Sequence, residues 1–349
     1  MKTHCFFPTR NWKLRLHLTE KAGIFFKIFN AGAGAKKLVE SGGADYNEEN
    51  CPPGAERRRR VWNRGFFMNH QQRVMAVHDL SCFGKCSLTV ALPILSAAGA
   101  EVTALPTAVL STHTGGFTGY TFRDLTDDIP AIVRHWKSLG LRFDAIYTGY
   151  LGSFEQLELV SGIIDEFRTD GTLVCIDPVM ADGGKLYPSF RQDFPVGMAK
   201  LCAKADLIVP NLTEAALLLG EEYREGPYGE EYLLHLLRGL SALGPRRVVL
   251  TGVWTEPEHL GCAVYDAAAD RAEYALSRKI DGFYHGTGDV FASALLGALL
   301  RGMALQPAAQ AAADFTAGSI RRTRDAGTDV RFGVNFEAGL PGYVRGLGL

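Results

Sequence analysis

An excess of charge of either sign is missing from this chain: 37 lysines and arginines stand against 38 aspartates and glutamates, a formal net charge of −1. Such a balance supplies no global field to draw in nucleic acid or an anionic membrane surface. Long apolar runs are missing as well, which argues against a membrane-spanning helix. Paired cysteines are absent. The seven that occur (Cys5, Cys51, Cys82, Cys86, Cys175, Cys202 and Cys262) are odd in number and scattered, and only Cys82 and Cys86 are near neighbours. A zinc site needs a second pair, so these read as structural or free thiols suited to a reducing cytoplasm. A dinucleotide fingerprint is lacking too, because Gly32-Ala33-Gly34 has neither the third glycine nor a strand before it.

What remains is a chain of 349 residues, 47% hydrophobic, with ample material for a large core. Its composition changes near residue 70. Before that point come the glycine-alanine segment, a polar stretch from Ser41 to Asn50, Cys51-Pro52-Pro53-Gly54 and the run Arg57 to Arg60, with no sustained strand or helix periodicity. The apolar run Ile24-Phe25-Phe26 is too brief for a signal-peptide core. The arginine run reads as a solvated tail rather than a nucleic-acid site. Residues 1–70 are therefore expected to be a disordered or non-native extension, with Met68 and Met75 at the start of the patterned region. Residues 71–349 are expected to form one domain.

From residue 73 short apolar runs alternate with helical patterns. Strands are expected at Val74–Val77, Val102–Leu110 (Pro106 arguing for an edge or a bend), Ala145–Tyr150, Leu173–Ile176, Leu207–Val209 and Val248–Thr251. Helices are expected at Ser87–Ala98 with Ser87 as N-cap, Ile129–Leu139, Glu155–Phe167, Thr213–Leu219 closed by Gly220, Tyr232–Leu243, Val290–Leu300 and Ala308–Thr323. Cys262–Tyr265 and Tyr274–Leu276 suggest a hairpin. The alternation predicts an α/β fold with a largely parallel sheet covered on both faces. Ligands of such sheets bind beyond the carboxyl ends of the strands, where Tyr150, Asp177, Asn211 and Thr251 fall.

Three segments carry chemistry. Gly286-Thr287-Gly288-Asp289 precedes a helix: two glycines let a phosphate approach the backbone, the helix start offers free amides, and Asp289 could take a proton from an attacking hydroxyl. The plain alternative is an acid in an ordinary first turn. Asp177-Pro178-Val179-Met180-Ala181-Asp182 with Asn211-Leu212-Thr213-Glu214 offers the carboxylates that magnesium prefers, against a reading as turn and helix cap. Ser111-Thr112-His113-Thr114-Gly115-Gly116-Phe117 offers donors, a turn and an aromatic, against a reading as a loop.

In this order, together with Thr148-Gly149-Tyr150-Leu151-Gly152-Ser153, these segments resemble the pyridoxal kinases of the ribokinase superfamily over about residues 73–345. The resemblance implies a ribokinase-like three-layer αβα sandwich, a kinase domain at 71–349, and ATP-dependent phosphorylation of the 5′-hydroxymethyl group of a vitamin B6 vitamer. It implies Asp289 as base, with the amides of Gly286, Thr287 and Gly288 around the phosphoryl group. Asp177 and Glu214 would organise Mg²⁺, directly or through water. Asp182, Asn211 and Thr251 would lie along the ATP phosphates, and Thr114 and Tyr150 would line the pyridine pocket, joined by His113 through stacking or a hydrogen bond. At His78-Asp79-Leu80-Ser81 either Asp79 or Ser81 would contact the ring. The resemblance further implies a homodimer, a cytoplasmic location and no nucleic-acid or membrane partner, and admits a monovalent cation. A hydroxymethylpyrimidine kinase is the nearest rival; there a cysteine often replaces the motif aspartate, so Asp289 favours the B6 reading. A sugar or nucleoside kinase and a catalytically silent vitamer-binding protein are further alternatives.

Overall fold

The computed structural model describes residues 71–349 and, before them, two strands, β1 (Trp12–His17) and β2 (Phe25–Asn30), which pair antiparallel with each other. The missing periodicity did not anticipate that pair. The rest of the expectation for residues 1–70 lies outside the described residues.

In the unit beginning at Gly65, the elements are β3 (Arg73–Phe83), α1 (Leu88–Ala97), β4 (Glu101–Thr112), β5 (Phe122–Asp124), α2 (Ile129–Ser138), β6 (Ala145–Thr148), α3 (Phe154–Phe167), β7 (Leu173–Ile176), β8 (Ala181–Asp182), β9 (Lys185–Leu186) and α4 (Phe194–Cys202). There follow β10 (Leu207–Ile208), α5 (Leu212–Leu219), α6 (Glu230–Ala242), β11 (Arg247–Val253), β12 (His259–Asp266), β13 (Arg271–Arg278), α7 (Thr287–Leu300), α8 (Leu305–Asp325) and α9 (Leu340–Gly346). Nine strands form one sheet in the order β13-β12-β11-β10-β7-β6-β3-β4-β5. The six from β11 to β4 are mutually parallel, β12 and β5 run against them, and β13, antiparallel to β12, runs with them again at the edge.

The central strands are short because they are buried on both faces. Ala145–Thr148 and Leu173–Ile176 have no exposed residue, as continuous apolar runs of a parallel sheet should. Side-chain alternation then divides the core. Met75, Val77, Ile146 and Val174 face α2 to α6, whereas Val74, Ala145, Tyr147 and Cys175 face α1, α7, α8 and α9. Helix, sheet and helix make the expected three-layer αβα sandwich. In α7, ten consecutive residues from Val290 to Leu299 are buried, so it is apolar all round.

β3 runs six residues past the expected end at Val77. Its pairing with β4 slips between His78 and Leu80 and then continues to Phe83↔Thr112, so the polar residues Asp79 and Ser81 lie within a strand. Pro106 sits opposite that slip, and β5 pairs only with Ala108 to Leu110 of β4, leaving Pro106 on an uncovered stretch where its missing N–H costs nothing. The short β5, β8, β9 and α9 carry too few residues for a periodicity to show. The nine-residue α4 escapes for a different reason, being interrupted by Pro195 and Gly197. Among the described residues no helix is long and apolar enough to cross a membrane.

Candidate active site

α7 begins at Thr287, three residues before the expected Val290, so Asp289 does occupy the first turn of a helix. The N-cap gives this turn its character. Gly286 has φ 75° and ψ 3°, and a Cβ there would collide with the Lys85 carbonyl oxygen. With no side chain at the N-cap, no side-chain hydrogen bond caps the helix, and its first amides stay available to an anion. The Asp289 carboxyl is enclosed by dense protein yet keeps part of its surface open to solvent. Burial lifts it to about 7, against a hydrogen bond from the Ser87 amide and aided by the nearby charge of Asp79. A carboxylate so poised can exchange a proton near neutrality.

Asp79 and Ser81, offered by the sequence as alternatives, are partners. The Ser81 hydroxyl donates to Asp79 Oδ2 at 3.0 Å, and the Ser87 hydroxyl donates to Oδ1 at 2.5 Å. Burial raises the Asp79 pKa, and the two hydroxyls oppose that rise. Ser87 does precede α1 as expected, but its side chain caps nothing there, because its hydroxyl is given to Asp79.

Asp177 and Glu214 are buried beside each other. Burial, then Glu214, then Asp289 push Asp177 well above the carboxylate range. Glu214 rises to about 8 through burial, opposed by the amides of Asn211, Met180 and Ala181. Its Oε2 accepts from Asn211 N at 2.9 Å and its Oε1 from Met180 N at 3.1 Å, while Asn211 Oδ1 accepts from Glu214 N at 2.9 Å. This is a complete capping box at the start of α5. The Asn211 amide group also donates to Ala181 O at 2.8 Å, so one donor and one acceptor are engaged and its second N–H stays free. The cap is the role its geometry shows. Asp182 is exposed, with Oδ1 accepting from Gly183 N at 2.7 Å, and Thr251 bridges back to Asn211 beside β10.

Among the described residues, no three His, Cys, Asp or Glu side chains converge as a metal cage. The acids nonetheless fit magnesium, which takes few carboxylates and completes its shell with phosphate oxygens and water. Crowded buried carboxylates with raised pKa values are the donor set that a divalent cation relieves.

His113 is committed to its own loop. Nδ1 accepts from Gly115 N at 3.1 Å, and Nε2 lies 2.6 Å from Arg331 O, which fixes the proton on Nε2. The expected hydrogen bond to a ligand has no nitrogen left to make it. The ring lies among Phe117 and His285, with centroids 5.0 and 5.2 Å away, so packing is its remaining role. Thr114 is exposed next to it. Tyr150 is half-buried 5.5 Å from Phe190, and burial raises its phenol pKa against a hydrogen bond with Ser189.

Sequence reasoning missed three features. Lys85 straps the nest: its amide donates to Phe332 O at 3.1 Å, and its ammonium reaches Asn335 Oδ1 at 3.0 Å and Glu337 Oε2 at 2.9 Å. Nothing within residues 84–87 announces partners some 250 positions away. A cavity of about 610 Å³ is lined by Arg278, Lys279, Ile280, Asp281, Arg321 and Arg324, on the segment leading to Gly286 and on α8. Its cations come from two segments some 40 positions apart, so no local spacing announces them. Third, both His78 ring nitrogens and the Thr148 hydroxyl are buried with no hydrogen-bond partner among the described residues, and the buried Tyr147 and Ser293 hydroxyls have only each other. His78 packs edge-on against Tyr147 at 4.4 Å.

Comparison with known proteins bears on this geometry. A family model described as phosphomethylpyrimidine kinase matches residues 95–333. A Bacteroides thetaiotaomicron protein, provisionally assigned as a phosphomethylpyrimidine kinase and crystallised with pyridoxal, is 41% identical with a TM-score of 0.74, over 80% of this chain and 96% of its own. Pyridoxal kinase from Lactobacillus plantarum is 35% identical with a TM-score of 0.73, over 78% and 97% of the two chains. Human pyridoxal kinase is 28% identical over 251 residues, 66% of this chain and 78% of its own length. The chain thus belongs to the phosphomethylpyrimidine kinase family, as a phosphotransferase of ribokinase-like fold whose relatives include pyridoxal kinases.

Proposed function

We propose that this chain is a vitamin B6 kinase, transferring the γ-phosphoryl group of ATP to the 5′-hydroxymethyl oxygen of pyridoxal, pyridoxine or pyridoxamine. The observation that carries the reading is Asp289 at about 7 on a helix start left open by Gly286. The substrate hydroxyl gives its proton to Asp289 as its oxygen bonds to the γ-phosphorus; the bond from that phosphorus to the bridging oxygen breaks, and ADP leaves. The first-turn amides of Gly286, Thr287 and Gly288 stabilise the charge on the transferring group. Asp177 and Glu214 would hold Mg²⁺ with phosphate oxygens and water; when bound, the ion supplies charge neutralisation.

Tyr150, Thr114 and the His113 ring form the ring pocket in this reading, and Asp79, with Ser81 and Ser87, faces a protonated ring nitrogen or amine. Asp182 and Thr251 lie on the nucleotide side, where Asn211 acts by holding the loop rather than by touching phosphate. The basic cavity between Arg278 and Arg324 suits the anionic nucleotide. Homodimerisation, a cytoplasmic location and response to a monovalent cation belong to the same proposal.

A panel of pyridoxal, pyridoxine, pyridoxamine and hydroxymethylpyrimidine with Mg-ATP, read as ADP release, tests it. Turnover of at least one B6 vitamer is expected. Turnover of hydroxymethylpyrimidine alone would favour the rival named by the family model, and no turnover at all would favour a binding protein.

A further inference from the structure

Ser87 has φ 56° and ψ −128°, one of two residues other than glycine with positive φ among those described. An L side chain pays for this conformation, and such strain persists where the surroundings over-determine it. The surroundings here are specific. Ser87 is 6% exposed, its hydroxyl donates to Asp79 Oδ1 at 2.5 Å, and its amide faces the Asp289 carboxylate. The preceding residues are pinned from two sides: Lys85 N donates to Phe332 O at 3.1 Å, and the Lys85 carbonyl abuts both Gly286 and Gly333. Thr89 Oγ1 closes the turn on Cys86 O at 2.7 Å. If φ relaxed to the ordinary region, the peptide before Ser87 would rotate and its amide would leave Asp289.

We infer that Ser87 is a positioning residue that sets two acids with different tasks from one strained turn: its hydroxyl orients Asp79 toward the vitamer, and its left-handed backbone aims its amide at the base Asp289. The inference rests on the kinase reading above and deepens it. The two halves separate by substitution. Ser87→Ala deletes the hydroxyl while the backbone can stay strained, so Asp79 is freed and KM for the vitamer rises about 10-fold. Ser87→Gly deletes the hydroxyl and also releases the backbone, so kcat falls in addition. KM for ATP stays within about twofold in both.

The experiment measures kcat, both KM values and the thermal midpoint for wild type, Ser87→Ala, Ser87→Gly, Asp79→Asn and the double variant Asp79→Asn/Ser87→Ala. A merely structural serine predicts that activity follows stability. The positioning role predicts the opposite for glycine, which relieves the strain: an equal or higher midpoint with lower kcat. It also predicts that Ser87→Ala changes the vitamer KM little once Asp79 is already asparagine, because the hydroxyl acts through that carboxylate. Pyridoxal binding followed by its absorbance gives the affinity loss without turnover. Additive effects of the two substitutions, or wild-type kcat in Ser87→Gly, would overturn the inference. Should Ser87→Ala fail to fold, the glycine variant alone decides. If wild type turns over no vitamer, the kinase reading fails; if it does and Ser87→Gly matches it, only this inference fails.

Discussion

Two helices start at the carboxyl edge of the same sheet, and both place an acid in the third position of the first turn: Glu214 in α5 and Asp289 in α7. Their fates differ because their N-caps differ. Asn211 accepts from the Glu214 amide and receives the Glu214 carboxylate on its own, so α5 satisfies itself. Gly286 has no side chain to offer, and its left-handed backbone carries no reciprocal bond, so the first turn of α7 stays open, while burial lifts its acid to about 7 as it lifts Glu214. On the proposed reading one start is a structural joint, its acid also placed for Mg²⁺, and the other is the reaction site. The residue three positions before each acid decides which, more than the acid itself does.

The largest effect that breaks the comparison is loss of the open acid. Asp289→Asn should lower kcat by roughly 10²–10⁴-fold, the span expected for a general base, with ATP affinity and the melting midpoint retained at neutral pH. In wild type, kcat/KM should climb with pH and level off above about 7, as the raised carboxyl loses its proton. The asparagine variant should lack that limb. Near-wild-type turnover would remove Asp289 from the chemistry.

Converting one start into the other comes next. Gly286→Asn supplies the N-cap that α5 has, and asparagine tolerates positive φ better than most residues. Its Cβ still collides with the Lys85 carbonyl, and a capping side chain would occupy the nest. Turnover should fall about 10²-fold, the effect of losing one oxyanion-type donor, with the thermal midpoint reduced as well. If the variant kept its activity, the open amides would not be serving the phosphoryl group.

How far the sequence foretold this contrast depends on range. Gly286-Thr287-Gly288-Asp289 and Asn211-Leu212-Thr213-Glu214 are local, and both helix starts were legible, along with the largely parallel sheet implied by the alternation of strands and helices. The choice between cap and phosphate site at Asn211 was not, because it turns on Met180 and Ala181, 31 and 30 positions upstream of it. Nor was the union of Asp79, Ser81 and Ser87, since helix periodicity makes Ser87 look like a cap until the slip in β3 brings Asp79 under it. The spent nitrogens of His113 depend on Arg331, 218 residues away.

A raised carboxyl also has a stability signature. Asp289 moves from an ordinary 3.8 to about 7 on folding, so the folded state binds its proton more tightly than the unfolded chain does. That contribution is fully present below about pH 4 and is lost as pH rises through about 7. Glu214, at about 8, acts in the same direction. Ligand-free wild type should thus lose stability between pH 5 and pH 8, and Asp289→Asn should melt higher than wild type at pH 8 but not at pH 5. Partial solvent access to Asp289 keeps the difference modest. Differential scanning fluorimetry at both pH values would show it, and an asparagine variant less stable at pH 8 would contradict the raised carboxyl.

The smallest effect sharpens the comparison from its closed side. Asn211→Ala removes the cap of α5, for which about 1 kcal/mol of stability is the usual cost. The loss frees the Glu214 amide and loosens the Ala181 carbonyl, yet it leaves the Gly286 nest and Asp289 untouched. Chemical denaturation should therefore report a lower midpoint while kcat at saturating substrates stays within a few-fold of wild type. Should kcat instead collapse as it does for Asp289→Asn, Asn211 would be touching the reacting phosphates, and the two helix starts would be equivalent parts of one anion site.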